Sequence, residues 1–175
     1  MSSSVTEKAK NIKLLILDVD GVLTQGHLVY TAEKILYKSF HVQDGLGIKL
    51  LKKTGVEIGI ITSCKSDIIR KRAADLGIMH IYQGYEDKLI PYQELKEKLQ
   101  LTDAQIAYVG DDLPDLPLIL RAGLGMTVPD ALPFMHQRAA YVTSAHGGKG
   151  AVREVCELIM QAQGTYSDIM NSYLV

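Results

Sequence analysis

Short apolar runs that alternate with helical stretches constrain the fold of this chain more than any other feature of its sequence. Five runs and a candidate sixth lie at residues 14–18, 57–62, 80–83, 106–110, 125–128 and 141–143. Helical patterns fill the intervals, at residues 44–54, 65–76, 88–99, 113–122 and 150–163. Strands that alternate with helices in this way are typical of βαβ units, so the sequence predicts an α/β fold with a parallel sheet.

One segment, residues 27–42, interrupts the alternation. Two β-rich runs there flank a short polar link, which predicts a β-hairpin inserted after strand one. A chain of 175 residues fits one domain of this class, so we expect a single domain over residues 1–175. The Ser-rich residues 1–10 and the tail at residues 165–175 are expected to be flexible.

The composition argues against several classes of function. With 47% hydrophobic residues, 22% charged residues and a net charge of −1, the chain offers no basic stripe for a nucleic acid. Its apolar runs are too short to span a membrane, and no signal-peptide pattern opens it. Cys64 and Cys156 form no C-x-x-C motif, which fits thiols in a reducing compartment. We therefore expect a cytoplasmic protein with no membrane or nucleic-acid partner.

Polar side chains fall where the predicted strands end. Asp18, Thr62, Gln83 and Asp111 each close or follow an apolar run, and Lys88 opens the helix after the third run. In a parallel sheet the carboxyl ends of all strands lie at one edge, where ligands bind. The sequence therefore predicts that these side chains meet at one site.

The acids at this edge predict a magnesium site. Asp18 and Asp20 are two residues apart and would point to the same side of an extended strand end, unless the chain curls after Asp18. Asp111, Asp112 and Asp115 follow the fourth strand. Two carboxylates about 4 Å apart repel each other by roughly 4 kcal/mol at an effective dielectric constant of about 20, so the group calls for a cation. Oxygen ligands without a Cys or His cluster favour magnesium over zinc.

The same residues offer each group that phosphoryl transfer needs. Asp18 is the candidate nucleophile, and the cation would sit between Asp18 and Asp111. Asp20 can give a proton to the leaving alcohol and later take one from water. Thr62 and Lys88 can hold the phosphate oxygens. The sequence therefore predicts a phosphatase that works through an aspartyl-phosphate.

The motifs, in this order, resemble those of the haloacid dehalogenase superfamily of phosphatases. The family pattern of D-x-D, a strand-end Thr or Ser, a downstream Lys and G-D-D with a further acid matches Asp18-Val-Asp20-Gly21, Thr62, Lys88 and Gly110-Asp-Asp-Leu-Pro-Asp115. The resemblance implies a Rossmann-like sheet of order 3-2-1-4-5 with helices on both faces.

The resemblance also implies the roles of single residues. It implies that Mg²⁺ is held by Asp18, the main-chain oxygen of Asp20 and Asp111. It implies a phosphate site formed by Thr62, Ser63 and Lys88. It implies supporting residues at Gly21, Asp112 and Asp115.

Nearly the whole chain, residues 13–164, further resembles a capless branch of this superfamily, the 3-deoxy-D-manno-octulosonate 8-phosphate phosphatases of lipopolysaccharide synthesis. The branch implies a phosphorylated sugar acid as substrate and a homotetramer in which the hairpins pack together. Candidate substrate contacts are Asp44, Gly45, Cys64 and Arg153.

Three departures from the branch fall around the sugar-reading residues. Gln43 and Cys64 stand where the branch usually has arginines, and Gln25 stands where it often has Asp. Neither Gln nor Cys replaces the fork with which arginine binds a carboxylate. A nine-carbon nonulosonate 9-phosphate or another phosphosugar therefore remains an alternative substrate.

Other functions fit the sequence less well, and some of these residues have simpler candidate roles. A response-regulator receiver places its acid and lysine after different strands, and a phosphomutase needs a cap that the chain has no segment to form. A catalytically silent assembly module usually lacks the nucleophile or the metal acid. Asp112 and Asp115 are equally candidates for helix N-caps, and Asp44 for the N-cap of its own helix. Arg153 is spaced to pair with Glu157 on one helix face.

Overall fold

A six-stranded parallel sheet forms the centre of the molecule. The computed structural model describes residues 3–30, 32 and 37–174. The strands follow the order β3-β2-β1-β4-β5-β6, and all their pairings are parallel. Their bounds are β1 Leu14–Leu17, β2 Glu57–Thr62, β3 His80–Gln83, β4 Ile106–Val109, β5 Leu124–Thr127 and β6 Tyr141–Val142. The α/β fold and the order 3-2-1-4-5 are confirmed, and the candidate sixth strand extends the sheet beside β5.

Helices cover the sheet in two groups. Their bounds are α1 Ser3–Lys10, α2 Val42–Lys53, α3 Asp67–Asp75, α4 Leu89–Lys98, α5 Leu116–Arg121, α6 Pro133–His136, α7 Ala151–Ala162 and α8 Tyr166–Asn171. Helix α7 packs against α1 and α2, and α4 packs against α5. Among the described residues, every helix is too short or too polar to span a bilayer.

The central strands are apolar on both faces because both faces are covered. All four residues of β1, Leu14–Leu17, are buried, as are those of β4. Parallel strands of this kind appear in sequence as continuous apolar runs rather than alternating ones. This is why the strand positions could be predicted to within one or two residues.

Helix boundaries follow local capping signals. Ser66 precedes α3, and its Oγ accepts a hydrogen bond from the Ile68 amide at 3.2 Å. Gly55 and Gly77 follow α2 and α3 with φ values of 90° and 65°, the left-handed conformation that ends a helix. The predicted helix at residues 113–122 is wrong at its start. Residues Leu113–Asp115 form a 3-10 turn before α5, since a helix that began at Leu113 would need an amide donor at Pro117.

Only part of the predicted hairpin lies within the described residues. Val29 and Tyr37 form one antiparallel bridge, which pairs the two arms of the segment at residues 27–42. Residues 31 and 33–36, where the turn is predicted, lie outside the described part. Leu28, Tyr30 and Tyr37 are exposed on these arms.

The two ends of the chain carry more regular structure than the sequence indicated. The flexible N-terminal segment predicted at residues 1–10 is wrong for the described residues. Helix α1 begins at Ser3, and its Val5 and Ala9 are buried against the core. Met1, Ser2 and Val175 lie outside the described residues. At the C-terminus, Tyr166–Asn171 form α8, whose Ile169 and Met170 pack partly buried against the core. Flexibility of this tail stays a prediction.

Candidate active site

A pocket of about 280 Å³ opens at the carboxyl edge of the sheet. Its lining contains most of the residues that the sequence singled out: Asp18, Asp20, Thr62, Ser63, Cys64, Lys88, Asp111, Asp112 and Asp115. A larger groove, of about 1050 Å³, lies at the opposite edge, where the strands begin. We place the site in the smaller pocket because the carboxylates and the buried lysine converge there.

Asp18 directly follows β1 and faces Lys88. Its amide continues the strand ladder by donating to the Val109 carbonyl at 3.0 Å, so the backbone fixes where its side chain points. Asp18 is buried, and its Oδ1 accepts a hydrogen bond from Lys88 Nζ at 2.7 Å. Lys88 Nζ also donates to Asp115 Oδ1 at 2.6 Å. The ammonium group therefore joins two carboxylates from different loops.

The chain curls after Asp18 instead of running on as an extended strand. The amides of Val22, Leu23 and Thr24 all donate to the Val19 carbonyl, at 3.4, 3.0 and 3.0 Å. The turn leaves Asp20 partly exposed on the pocket lining, beside Asp18. The two acids thus reach the same pocket through a turn and not through strand alternation.

Asp115 organises the loop that carries Asp111. Its Oδ2 accepts hydrogen bonds from the amides of Asp111 and Asp112, at 3.1 and 3.2 Å. Its Oδ1 accepts from Lys88 Nζ and from the Tyr108 hydroxyl, the latter at 2.5 Å. Asp112 itself accepts from the Leu113 amide at 2.8 Å, which is the capping role that the sequence allowed.

Gly21 makes the close approach of the first and fourth strand loops feasible. Its φ is 92°, and a Cβ built on it would lie 1.9 Å from Asp111 Oδ2. Any side chain there would displace the Asp111 carboxylate. The site therefore requires glycine directly after the D-x-D motif for a steric reason.

The carboxylates are close enough to share a cation. One oxygen from each of Asp18, Asp111 and Asp115 lies within 4.8 Å of the others. Burial, reinforced by the charge of Asp115, raises the pKa of Asp18 to about 8 and that of Asp111 to about 7. Burial would lower the pKa of Lys88, but the charges of Asp18 and Asp115 outweigh it and raise that pKa. One ammonium against three carboxylates leaves room for a divalent cation, and an all-oxygen donor set fits Mg²⁺.

The side-chain cluster shares Asp18 and Asp111 with the ligand set that the family resemblance implied, and it adds Asp115, to which the resemblance gave a supporting place. The implied ligand at the Asp20 main-chain oxygen stays a prediction. Both Asp115 oxygens already accept two hydrogen bonds each. The Asp18 and Asp111 oxygens carry fewer bonds and are better placed to bind a cation directly.

The loop after β2 brings hydroxyl groups to the pocket. Thr62 is buried at the strand end, and its Oγ1 accepts a hydrogen bond from the Cys64 amide at 3.2 Å. The Ser63 hydroxyl donates to the Tyr85 carbonyl at 2.9 Å. Gln83 holds this loop from β3, since its Oε1 accepts from the Ser66 amide at 2.7 Å.

Three candidate substrate contacts lie outside the pocket lining. Asp44 is buried and is not the N-cap of its own helix, because α2 already begins at Val42. Its carboxylate instead accepts hydrogen bonds from the Arg153 and Gly150 amides at the start of α7, at 2.8 and 3.4 Å.

The other two candidate contacts have structural partners of their own. Arg153 pairs with Glu157 at 2.5 Å on the same helix, as its spacing allowed. Gly45 packs so near Arg72 that a Cβ would meet Nη2 at 2.4 Å. Their contact with a substrate stays a prediction.

Two residues of the site were missed from the sequence. Tyr108 is fully buried on β4, and its hydroxyl bonds Asp115. A buried tyrosine needs a partner for its hydroxyl, which is the signal that could have found it. Lys38, on the second hairpin arm, contacts Asp20 Oδ1. Its place in a β-rich run gave no sign of this contact.

The fold and this site define a class of enzyme: a metal-dependent phosphohydrolase with an aspartate at the end of its first strand. Residues 46–155 match the family model described as haloacid dehalogenase-like hydrolase. The chain belongs to this family.

Comparison with relatives and with solved structures shows which phosphatases of this family the chain is similar to. The chain is 48% identical to the 3-deoxy-D-manno-octulosonate 8-phosphate phosphatase of Salmonella typhi over 164 residues, 94% of this chain and 87% of that protein. It is 43% identical to the enzyme of that name from Moraxella catarrhalis, solved with a magnesium ion, a phosphate ion and a KDO molecule. That structure superposes with a TM-score of 0.97 over 99% of both chains.

A second solved structure carries a different metal. The cobalt-bound deoxy-D-mannose-octulosonate 8-phosphate phosphatase of Haemophilus influenzae is 42% identical to this chain. It superposes with a TM-score of 0.91 over 96% of this chain and 99% of that one.

Proposed function

We propose that this chain is a magnesium-dependent phosphatase that hydrolyses 3-deoxy-D-manno-octulosonate 8-phosphate in lipopolysaccharide synthesis. The observation that carries the proposal is the Asp18 carboxylate, buried beside Lys88 and within 4.8 Å of oxygens of Asp111 and Asp115. Its support is the 48% identity to a phosphatase of that substrate over 94% of the chain. Mg²⁺ is the cofactor that fits the carboxylates, and the Moraxella catarrhalis structure contains it.

The reaction has two steps, transfer of the phosphate to Asp18 and hydrolysis of the aspartyl-phosphate. An Asp18 oxygen forms a bond to phosphorus while the bond from phosphorus to the sugar oxygen breaks, and Asp20 gives its proton to that oxygen. Water then attacks the phosphorus of the aspartyl-phosphate and loses a proton to Asp20. Inorganic phosphate leaves, and both Asp18 and Asp20 return to their starting forms.

The remaining residues bind and orient the phosphate. Thr62 and Ser63 line the pocket from the β2 loop and offer hydroxyl and amide donors. Lys88 supplies a positive charge and holds one Asp18 oxygen, so the other oxygen is free to attack. When bound, Mg²⁺ neutralises charge on Asp18, Asp111 and the phosphate.

The residues that would contact the sugar support one alternative substrate. Cys64 lines the pocket, and Gln43 is exposed at the start of α2, where the related branch usually has arginines. Without these guanidinium groups the pocket has fewer donors for the sugar carboxylate. A nine-carbon nonulosonate 9-phosphate or another phosphosugar is therefore the second candidate substrate.

Location and assembly belong to the same proposal. A cytoplasmic enzyme is supported by the free thiols Cys64 and Cys156.

A homotetramer is supported by apolar side chains that are exposed on the hairpin arms and at the start of α2, namely Leu28, Tyr30, Tyr37, Val42 and Leu46. Light scattering coupled to gel filtration measures the mass, and a monomer at working concentration would contradict the tetramer.

Phosphate release tests the proposal. We expect turnover of 3-deoxy-D-manno-octulosonate 8-phosphate with Mg²⁺, little turnover after chelation, and none for Asp18→Asn. A nine-carbon nonulosonate 9-phosphate and p-nitrophenyl phosphate run beside it. Selective turnover of the nine-carbon sugar would move the enzyme to the alternative substrate. Absence of metal-dependent turnover on all three, and on a wider phosphate screen, would favour a silent assembly module.

A further inference from the structure

Lys38 carries a buried charge that the reaction as described does not use. It lies on the second arm of the hairpin, next to Tyr37, which forms the bridge to Val29. Its side chain is 1% exposed, and its Nζ contacts Asp20 Oδ1. Removing an ammonium group from water is unfavourable unless the charge is paired. The pairing with Asp20 is therefore what allows this lysine to be buried.

The contact leaves Asp20 with one bound and one free oxygen. Lys38 Nζ holds Oδ1, and the hydroxyl of buried Thr24 approaches the same oxygen at 3.5 Å. Within the described residues Oδ2 has no recorded hydrogen bond. Because Asp20 lines the pocket, Oδ2 is the oxygen available to a bound molecule.

We propose that Lys38 is a positioning residue that fixes the Asp20 carboxyl group so that Oδ2 meets the leaving oxygen of the substrate. The inference rests on the proposed role of Asp20 as proton donor. Lys38 Nζ donates to Oδ1 both when Oδ2 carries a proton and when Asp20 is ionised, so the contact persists while Asp20 transfers the proton from Oδ2 to the leaving oxygen and the bond from phosphorus to that oxygen breaks. Lys38 acts through Asp20 and takes no part in bond making.

The hairpin thereby has a role within its own subunit. Asp20 lies in the turn after β1, whereas Lys38 reaches it from a segment 18 residues further along the chain. A displacement of about 1 Å at a reacting group can cost on the order of 100-fold in rate. The position of the arm at residues 37–40 therefore sets the rate of the proton-transfer step.

Two aryl leaving groups of different acidity test the inference. Phenol is a weaker acid than p-nitrophenol and needs the proton more as it departs. We expect Lys38→Met to lower kcat/KM for phenyl phosphate by on the order of 10- to 100-fold, with a much smaller loss for p-nitrophenyl phosphate. This parameter covers the steps up to release of the alcohol, so it isolates the first half of the reaction.

A double-mutant cycle identifies the residue through which Lys38 acts. In an Asp20→Asn background, Lys38→Met should change kcat/KM for phenyl phosphate less than twofold, since the positioned group is gone. Lys38→Arg should restore most of the activity by supplying donors at the same place. Thermal unfolding of each variant checks the fold, and Lys38→Gln replaces the methionine variant if that does not fold.

Three results would overturn the inference. They are equal losses on the two aryl phosphates, full additivity with Asp20→Asn, or wild-type activity in Lys38→Met. Each would leave the proposed function standing if the wild type is active and Asp20→Asn is impaired. Lack of phosphatase activity in the wild type would instead remove both.

Discussion

Gly21 is the residue at which the geometry of the site leaves least freedom. It lies between the nucleophile loop and the Asp111 loop with a φ of 92°, and the space for a Cβ is already filled by Asp111 Oδ2. Gly55 offers a matched comparison, because its φ is 90° and a Cβ there would meet nothing within 4 Å. The pair separates backbone strain from a clash with the site.

We expect Gly21→Ala to weaken Mg²⁺ binding and to destabilise the protein more than Gly55→Ala does. Both variants pay roughly 1–2 kcal/mol for a left-handed alanine, but only the first displaces a carboxylate. Urea unfolding gives the stabilities and titration calorimetry gives the Mg²⁺ affinity. Equal destabilisation with unchanged Mg²⁺ affinity would contradict the steric account.

The acids of the site predict a pH dependence of metal binding. Burial and the charge of Asp115 raise the pKa of Asp18 to about 8 and that of Asp111 to about 7. Protons therefore compete with the cation, and Mg²⁺ affinity should rise with pH and level off above about pH 8.

The same pKa values affect the metal-free stability. Because the folded pKa values lie above the ordinary value of 3.8 for an aspartate, these groups favour the folded state most at low pH. That contribution is lost as the pH rises through about 7 to 8. The increase in Tm on adding Mg²⁺ should therefore be larger at about pH 9 than at about pH 6. An equal increase at both values would show that these carboxylates are ionised without metal.

At the scale of elements, the junction of α2 and α7 depends on one carboxylate. Asp44 satisfies two amides at the start of α7, where a helix has no internal acceptors. We expect Asp44→Ala to lower the free energy of unfolding by about 1–3 kcal/mol. The exposed Asp75→Ala should change it by less than about 0.5 kcal/mol.

Urea unfolding of the two variants measures this difference, and steady-state kinetics of Asp44→Ala separates two roles. A stable variant with a raised KM would support the predicted substrate contact over the capping role. A destabilised variant with normal kinetics would support capping.

The elements differ in how far the sequence could predict them. The strands were predictable because strands that are buried on both faces appear in the sequence as continuous apolar runs. Helix α1 was not, since its only strong signal is Val5 and Ala9 facing a helix that comes about 150 residues later. The start of α5 was missed because Pro117 cannot donate within a continuous helix that begins at Leu113.

The residues of the site likewise divide into those that the sequence could place and those that it could not. Parallel topology brings the ends of strands together, so Asp18, Thr62, Lys88 and Asp111 could be placed from their positions in the sequence alone. The contact of Lys38 with Asp20 could not, because it depends on how the hairpin packs. The capping role of Asp44 depends in the same way on helix packing across 109 residues of sequence.

At the scale of the whole molecule, the parallel sheet collects its acids at one edge and leaves the other edge to a separate groove. The pocket at the acidic edge is about 280 Å³, enough for a phosphate group and part of a small substrate. The central claim is therefore that phosphate passes through Asp18.

Rapid acid quench followed by peptide mass spectrometry tests that claim most directly. With p-nitrophenyl phosphate, whose leaving group needs little protonation, the Asp20→Asn variant should accumulate the intermediate, because water attack on phosphorus lacks its base. We expect one phosphate per subunit on the peptide that contains Asp18, formed with Mg²⁺ and absent from Asp18→Asn. Turnover without any protein-bound phosphate, or phosphate mapped to a different residue, would contradict it.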